Sequence, residues 1–186
     1  MKPSYIFLAE GFEEIEALTV VDVLRRAGID IRTVSITPLR NVRGAHGIEV
    51  VVDDIFAEAE LSGAEWLICP GGLPGSTNLA DFAPLCDALK AHRRGIAAIC
   101  AAPAVVLAPL GLVDGRECTC YPGFEAACSL AGGKVQPGAR VVALDCFITA
   151  AGPSTATQFA LAIVAQTLGD DAAREVAAGM LTTYDK

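Results

Sequence analysis

The chain has 186 residues, 53% hydrophobic and 19% charged, with a mean hydropathy of +0.46; that is long and apolar enough for a real core and excludes a disordered chain. Its formal charge is −8, with no block of Lys or Arg, which removes electrostatic support for nucleic-acid binding. The apolar runs fall short of the ~18 residues of a membrane span, and the N-terminal MKPSYIFLAEGF has too short an apolar stretch for a secretory signal, so seven scattered cysteines are expected as free thiols in a reducing cytoplasm.

In chain order, SYIFLA at 4–9 has the pattern of a buried strand. A helix is predicted over 13–27, where Ile15, Leu18, Val21 and Leu24 recur at helical spacing and Gly28 supplies the stop after Arg25 and Arg26. Residues 30–36 alternate as a second strand, and IEVVV at 48–52 forms a short one after the turn around Gly44–Gly47. Residues 65–69 form a third buried strand running into PGG. A helix over 82–93, a strand at 96–99 and a helix over 101–110 follow. Residues 141–144 and 147–150 pair as a hairpin turning at Asp145-Cys146, and a long apolar helix at 153–168 precedes a shorter one. No repeat, linker or domain boundary interrupts residues 1–186, so a single domain is expected.

Strand–helix alternation with buried strands predicts an α/β fold, a mostly parallel sheet with helices on both faces. Ligands bind such sheets at the carboxyl ends of the strands. That rule selects three loops: AEGFEEIEA after the first strand, CPGGLPG after the third, and ICAAP after residues 96–99. In the last, Cys100 sits at a sharp strand-to-helix turn, the geometry of a nucleophile elbow. A helix N-terminus there favours thiolate. Ala101 and Ala102 leave room for the turn, and Pro103 suits a first helical turn. The amides of Gly71, Gly72 and Ala101 are candidates for an oxyanion cradle, and Glu16, in the first turn of the first helix, can reach the thiol. The plain alternatives stay open: a packed core thiol for Cys100, and for Glu16 an acid serving the helix dipole. No metal site is expected, because Cys118 and Cys120 lack a second pair and His46 and His92 are far apart.

Four segments together, FLAEGFEEIEALTVVDVLRRAGI, ICPGGLPGSTNL, AAICAAPAVVLAPLGL and AAGPSTATQFALAIV, resemble small single-domain members of the DJ-one/ThiJ/PfpI family, in the family order. The resemblance implies a flavodoxin-like three-layer sandwich, a nucleophilic Cys100, a hydrogen-bonding acid at Glu16, and a homodimer with active sites near the subunit interface. It implies no cofactor, while charge and run length already argue against nucleic-acid and membrane partners. Activities assigned within the family include glyoxalase III, deglycase, chaperone, oxidative-stress sensor and, in one branch, peptidase. The chain departs from the family in places. The peptidase branch has His where this chain has Ala101, which argues against peptidase activity. Tyr121 stands where other members carry a His, and it cannot titrate near neutrality. His46 replaces an Arg, either lining the site from a partner subunit or sitting on a surface loop. Ala102 replaces a Gly, and Cys146 stands at a turn position where Gly is usual.

Two functions follow. The first is a glyoxalase III or deglycase acting on 2-oxoaldehydes such as methylglyoxal, with Cys100 as nucleophile and Glu16 as proton shuttle. The second is a non-enzymatic stress sensor or chaperone in which Cys100 oxidises to sulfinate. Cys69 and Cys120 are candidates to resolve a sulfenic acid at Cys100, against the simpler reading of both as inert core thiols.

Overall fold

The computed structural model describes residues 2–184. β1 (Ser4–Leu8) is buried along its whole length, as a strand covered by helices on both faces must be. It leads into α1 (Glu14–Arg26), which buries Ala17, Val20, Val21, Val23 and Leu24. Then come β2 (Ile31–Ser35), an antiparallel ribbon of β3 (Asn41–Arg43) and β4 (Glu49–Val51), and the short β5 (Asp54–Ile55). β6 (Trp66–Cys69), α2 (Gly75–Ala80), α3 (Ala83–Ala91) and β7 (Gly95–Ile99) complete the first half. Beyond Cys100 the chain coils through a π-helical turn, Pro103–Leu107, and a 3₁₀ turn, Ala108–Leu110. β8 (Glu117–Cys118) pairs in parallel with β9 (Lys134–Val135) on either side of α4 (Glu125–Leu130). The hairpin β10 (Val141–Leu144) and β11 (Phe147–Ala150) then leads to α5 (Ala156–Leu168) and α6 (Asp170–Gly179).

Among the described residues, seven strands form the main sheet in the order β10-β11-β7-β6-β1-β2-β5, parallel except for β10. One apolar cluster lies on the face covered by α1, α5 and α6, including Val20, Leu24, Phe159 and Ile163. A second, including Leu79, Leu85, Leu89 and Leu107, fills the other face under α2, α3 and the π turn. The chain runs outward from β1 to β2 and β5, then crosses to β6 on the opposite side of β1. The loops after β1 and β6 therefore part at a topological switch point, where open α/β sheets place their ligands. The expected three-layer α/β architecture is what the chain adopts.

Several details differ from the sequence reading. Ile15 and Leu18 point outward, at 57% and 38% exposure; the buried stripe of α1 is turned toward Ala17, Val20 and Val23. The strand at 48–52 forms, but in the separate ribbon, while the overlooked β5 takes the sheet edge. The expected regular helix at 101–110 is a π turn joined to a 3₁₀ turn. The Ala108 N–H bonds the Pro103 carbonyl five residues back, and Pro109 has no N–H with which to continue an α-helical ladder. The short α2 and α4 carry too few apolar residues to show a helical period, and β8 and β9 are two residues each.

Candidate active site

Cys100 follows β7 directly, its N–H bonded to the Ala150 carbonyl of β11. Its backbone is left-handed, φ 64°, a region that L-residues other than Gly, Asn and Asp seldom occupy. That strained turn swings the side chain up from the sheet and toward the loop after β6, the elbow expected from the sequence. Glu16 meets it from α1. The carboxyl is fully buried. Its Oε2 accepts the Gly71 N–H at 2.7 Å, Oε1 is buried with no hydrogen-bond partner, and the Cys100 thiol is the side chain that acts on the carboxyl. The loops that hold this pair are tied together, Glu13 N–H to the Gly71 carbonyl at 3.0 Å and Gly75 N–H to the Gly11 carbonyl at 3.2 Å.

Gly71 and Gly72 divide the work assigned to them. The Gly71 amide is occupied by Glu16 and so is not available to an oxyanion; the glycine is needed for space, since a β-carbon there would lie 2.5 Å from Cys100 Cβ and 2.6 Å from Glu16 Oε2. The Gly72 and Ala101 amides are the two that favour a charged Cys100 sulfur. Gly72 is itself left-handed at φ 90°, and a β-carbon on it would meet the Glu13 nitrogen at 2.4 Å.

The electrostatics reverse one expectation. Burial, then the Glu16 charge, push the Cys100 thiol up to about 12, against a smaller lowering by the two amides. A π turn of five residues has too few aligned peptide units to offset that burial. Burial likewise raises Glu16 to about 7, more than the Gly71 amide and the nearby Cys100 thiol lower it. These two shifts describe one proton shared by two groups. With the carboxylate charged, the thiol keeps its proton and donates to it. With the carboxyl protonated, the repulsion disappears and the sulfur can be a thiolate receiving the Gly72, Ala101 and Glu16 donors.

Tyr121 lies beside this pair. Its N–H donates to the Cys100 carbonyl at 2.7 Å, and its ring is half exposed, edge-on to Phe124 at 6.4 Å. With Arg140, Gly152 and Ser154 it lines a pocket of about 330 Å³. His46, on the β3–β4 turn, is exposed. Glu14 holds it, accepting the His46 N–H and contacting Nδ1, each at 2.8 Å, and that hydrogen bond raises the imidazole pKa. Within the chain these contacts tie His46 to the start of α1 and not to Cys100. Glu13, Glu14 and His46 also place one donor each within 4.8 Å of one another, but Glu14 is already satisfied by the His46 and Ile48 amides.

The model of the DJ-1/PfpI family matches residues 3–166. The chain belongs to that family. It is 36% identical over 181 residues to an Arabidopsis thaliana DJ-1 homolog B, covering 94% of this chain and 40% of that protein, so the chain spans less than half the length of that relative. It is 35% identical over 158 residues to the Caenorhabditis elegans glutathione-independent glyoxalase DJR-1.2, covering 83% of this chain and 82% of that one. The solved structure of oxidized Toxoplasma gondii DJ-1 superposes with a TM-score of 0.92 at 33% identity, over 99% of this chain and 100% of that one.

In this DJ-1/PfpI chain Cys69, Cys118, Cys120 and Cys128 belong to the second apolar cluster and Cys100 to the first. Cys69 is fully buried in the second apolar cluster, and burial lifts it to about 12. Cys120 pairs with Cys128 rather than with Cys100. Cys146 is exposed at φ 57° in the β10–β11 turn, its N–H held by Gln166. The sequence reading missed Glu14 as the anchor of His46 and Cys128 as a partner for Cys120; the only signal for the latter is a third cysteine eight residues on, across a turn. Among the described residues, no helix is long and apolar enough to cross a membrane.

Proposed function

We propose that the protein is a cysteine-dependent enzyme that converts 2-oxoaldehydes such as methylglyoxal to 2-hydroxy acids without glutathione. The observation that carries this reading is the buried Glu16 carboxyl, raised to about 7, facing the Cys100 sulfur. An acid poised near the working pH is suited to take and return a proton.

The Cys100 sulfur adds to the aldehyde carbon and the oxygen takes a proton, giving a hemithioacetal. Glu16, as carboxylate, removes the proton from that carbon and returns one to the neighbouring carbon, leaving a thioester and an alcohol. Water then cleaves the thioester, releasing the 2-hydroxy acid and the thiol. The aldehyde carbon is oxidised and its neighbour reduced, so the redox change stays within the substrate. In this reading the Gly72 and Ala101 amides, which lower the Cys100 pKa, would steady the oxygen of the adduct. The similarity to a protein named as a glutathione-independent glyoxalase supports the substrate class.

Steady-state turnover of methylglyoxal without glutathione tests this. Wild type should turn over, Cys100→Ser should be inactive, and Glu16→Gln should lose about 100- to 10,000-fold while its Cys100 remains alkylatable. Substantial turnover surviving both substitutions would overturn the mechanism. A second reading, a redox sensor, draws on the same contact, because a protonated Glu16 would donate to a sulfinate on Cys100. In that case wild-type turnover is negligible, and Glu16→Gln changes how far peroxide carries Cys100 beyond sulfenate.

A further inference from the structure

Three of the remaining cysteines converge. Cys118 closes β8 and Cys120 lies two residues on, so both side chains leave the same side of an extended segment. Thr119 between them is anchored elsewhere, its N–H on Thr149 Oγ1 at 2.9 Å and its hydroxyl on the Ala139 carbonyl at 2.8 Å. Cys128 approaches from α4, and its thiol is close enough to both to shift their pKa values. All three are buried and free. Gly133 packs over them: a β-carbon there would lie 3.1 Å from Cys118 Sγ and 2.9 Å from the Cys128 carbonyl. The three residues are unequal in access. Cys118 and Cys128 are sealed at 0% exposure, whereas Cys120, at 4%, lines the pocket of about 330 Å³ shared with Tyr121 and Arg140.

We propose that Cys120 and Cys128 form a peroxide-driven dithiol–disulfide switch, with Cys118 as a second partner for Cys128. A hydroperoxide reaching the pocket meets Cys120 first. The Cys120 thiolate attacks one peroxide oxygen, the O–O bond breaks, and the leaving oxygen takes a proton to depart as water or an alcohol. Cys120 is then a sulfenic acid. The Cys128 sulfur attacks it, the S–O bond breaks, and a second water leaves with the Cys128 proton as the Cys120–Cys128 bond forms. Two thiols thus supply the two electrons that reduce the peroxide. Attack by Cys118 on the Cys128 sulfur would pass the disulfide inward and restore the Cys120 thiol.

The placement suits these roles. Contact with Cys128 lowers the pKa of both Cys118 and Cys120 and raises that of Cys128, and of the two lowered thiols Cys120 is the residue at the pocket. Cys128 has a single proton to donate, which makes it the hub between two alternative partners. Tyr121 adjoins Cys120, donates to the Cys100 carbonyl and packs on Phe124 at the start of α4. The disulfide would therefore tie one wall of the pocket beside Cys100 to α4. This switch does not depend on whether Cys100 turns over an aldehyde.

The experiment uses the full-length Cys100→Ser protein, which removes oxidation at Cys100. All three cysteines fall on one tryptic peptide, residues 117–134, and Tyr121 and Phe124 lie between Cys120 and Cys128. After a few equivalents of hydrogen peroxide, that peptide should lose about 2 Da, two hydrogens, and regain them with dithiothreitol. Chymotrypsin should cut it between Cys120 and Cys128 while the pieces stay joined until reduced. A peptide that keeps its mass, or that only gains oxygen, overturns the proposal. In Cys100→Ser/Cys128→Ser the loss should vanish and Cys120 should be trapped by dimedone; a persistent loss would overturn the role of Cys128. Should that double variant fail to fold, the first measurement still decides.

Discussion

Glu16 and Cys100 show how one burial sets two functions against each other. A buried carboxyl is costly to ionise, and Glu16 is raised to about 7 from an ordinary 4.5. Because the folded value is the higher one, the associated stability is complete below the unfolded value and is lost as pH rises through about 7. Glu16→Gln should therefore melt close to wild type at pH 5 and be more stable at pH 8, by up to about 3 kcal/mol. Thermal melts at the two pH values check this; a variant less stable than wild type at pH 8 would show that the charged carboxylate is well accommodated. Gly71→Ala is expected to act the other way. Its β-carbon would fall 2.5 Å from Cys100 Cβ, between two side chains that cannot both retreat, and overpacking of this kind costs about 1–3 kcal/mol. Denaturant titration should record that loss, and methylglyoxal turnover should fall with it as Glu16 and Cys100 are forced apart.

At the scale of elements, α1 and the turn after β7 carry the site, and each does so by departing from regularity. α1 starts with Glu13 making no side-chain cap, so its first turn is fixed by neighbours: the Gly71 carbonyl takes the Glu13 N–H and the Gly71 N–H meets Glu16. The far end of the helix is ordinary core. Leu24 is fully buried in the cluster with Val20 and Phe159, and Leu24→Ala should cost about 2–5 kcal/mol. Two helical turns separate it from Glu16, so the folded fraction should keep its methylglyoxal kcat. A fall in kcat beyond the loss of folded protein would mean that the helix transmits strain to the acid.

For the molecule as a whole, we propose a homodimer built on α1 and the β3–β4 ribbon. Ile15 and Leu18 on one face of α1, and Ile48 and Val51 on the ribbon, are exposed apolar side chains. The ribbon is bound to the start of α1 through Ala45 N–H to the Phe12 carbonyl at 2.8 Å and through Glu14, so the two elements present one surface. A second copy meeting that surface would bring its own His46 toward it. Sedimentation at micromolar concentration should give about twice the 19.2 kDa of the chain, and Ile15→Glu should shift it toward monomer by burying an unpaired charge. A wild-type monomer at that concentration would refute the dimer and with it any role of His46 in a neighbouring site.

The buried strands, the alternation with helices, and the cysteine at the break after residues 96–99 were legible in the sequence because each is a local pattern: an apolar run, a period, a turn between two of them. The local pattern offered Glu16 only as an acid in a first helical turn; its pairing with the cysteine came from the family resemblance. What sequence could not decide was anything set by residues distant along the chain. Which face of α1 is buried depends on where α5 and the sheet lie, and so Ile15 and Leu18 were misread. The Gly71 amide was taken from the oxyanion by an acid 55 residues earlier. The thiol was expected to ionise easily beside a helix N-terminus, but burial and the Glu16 charge outweigh five residues of π turn. Cys128 found Cys118 and Cys120 only because α4 folds back over β8. Local patterns fix which elements form; the proton balance and the sulfur contacts are set where separate elements meet, because electrostatics and packing act through space and not along the chain.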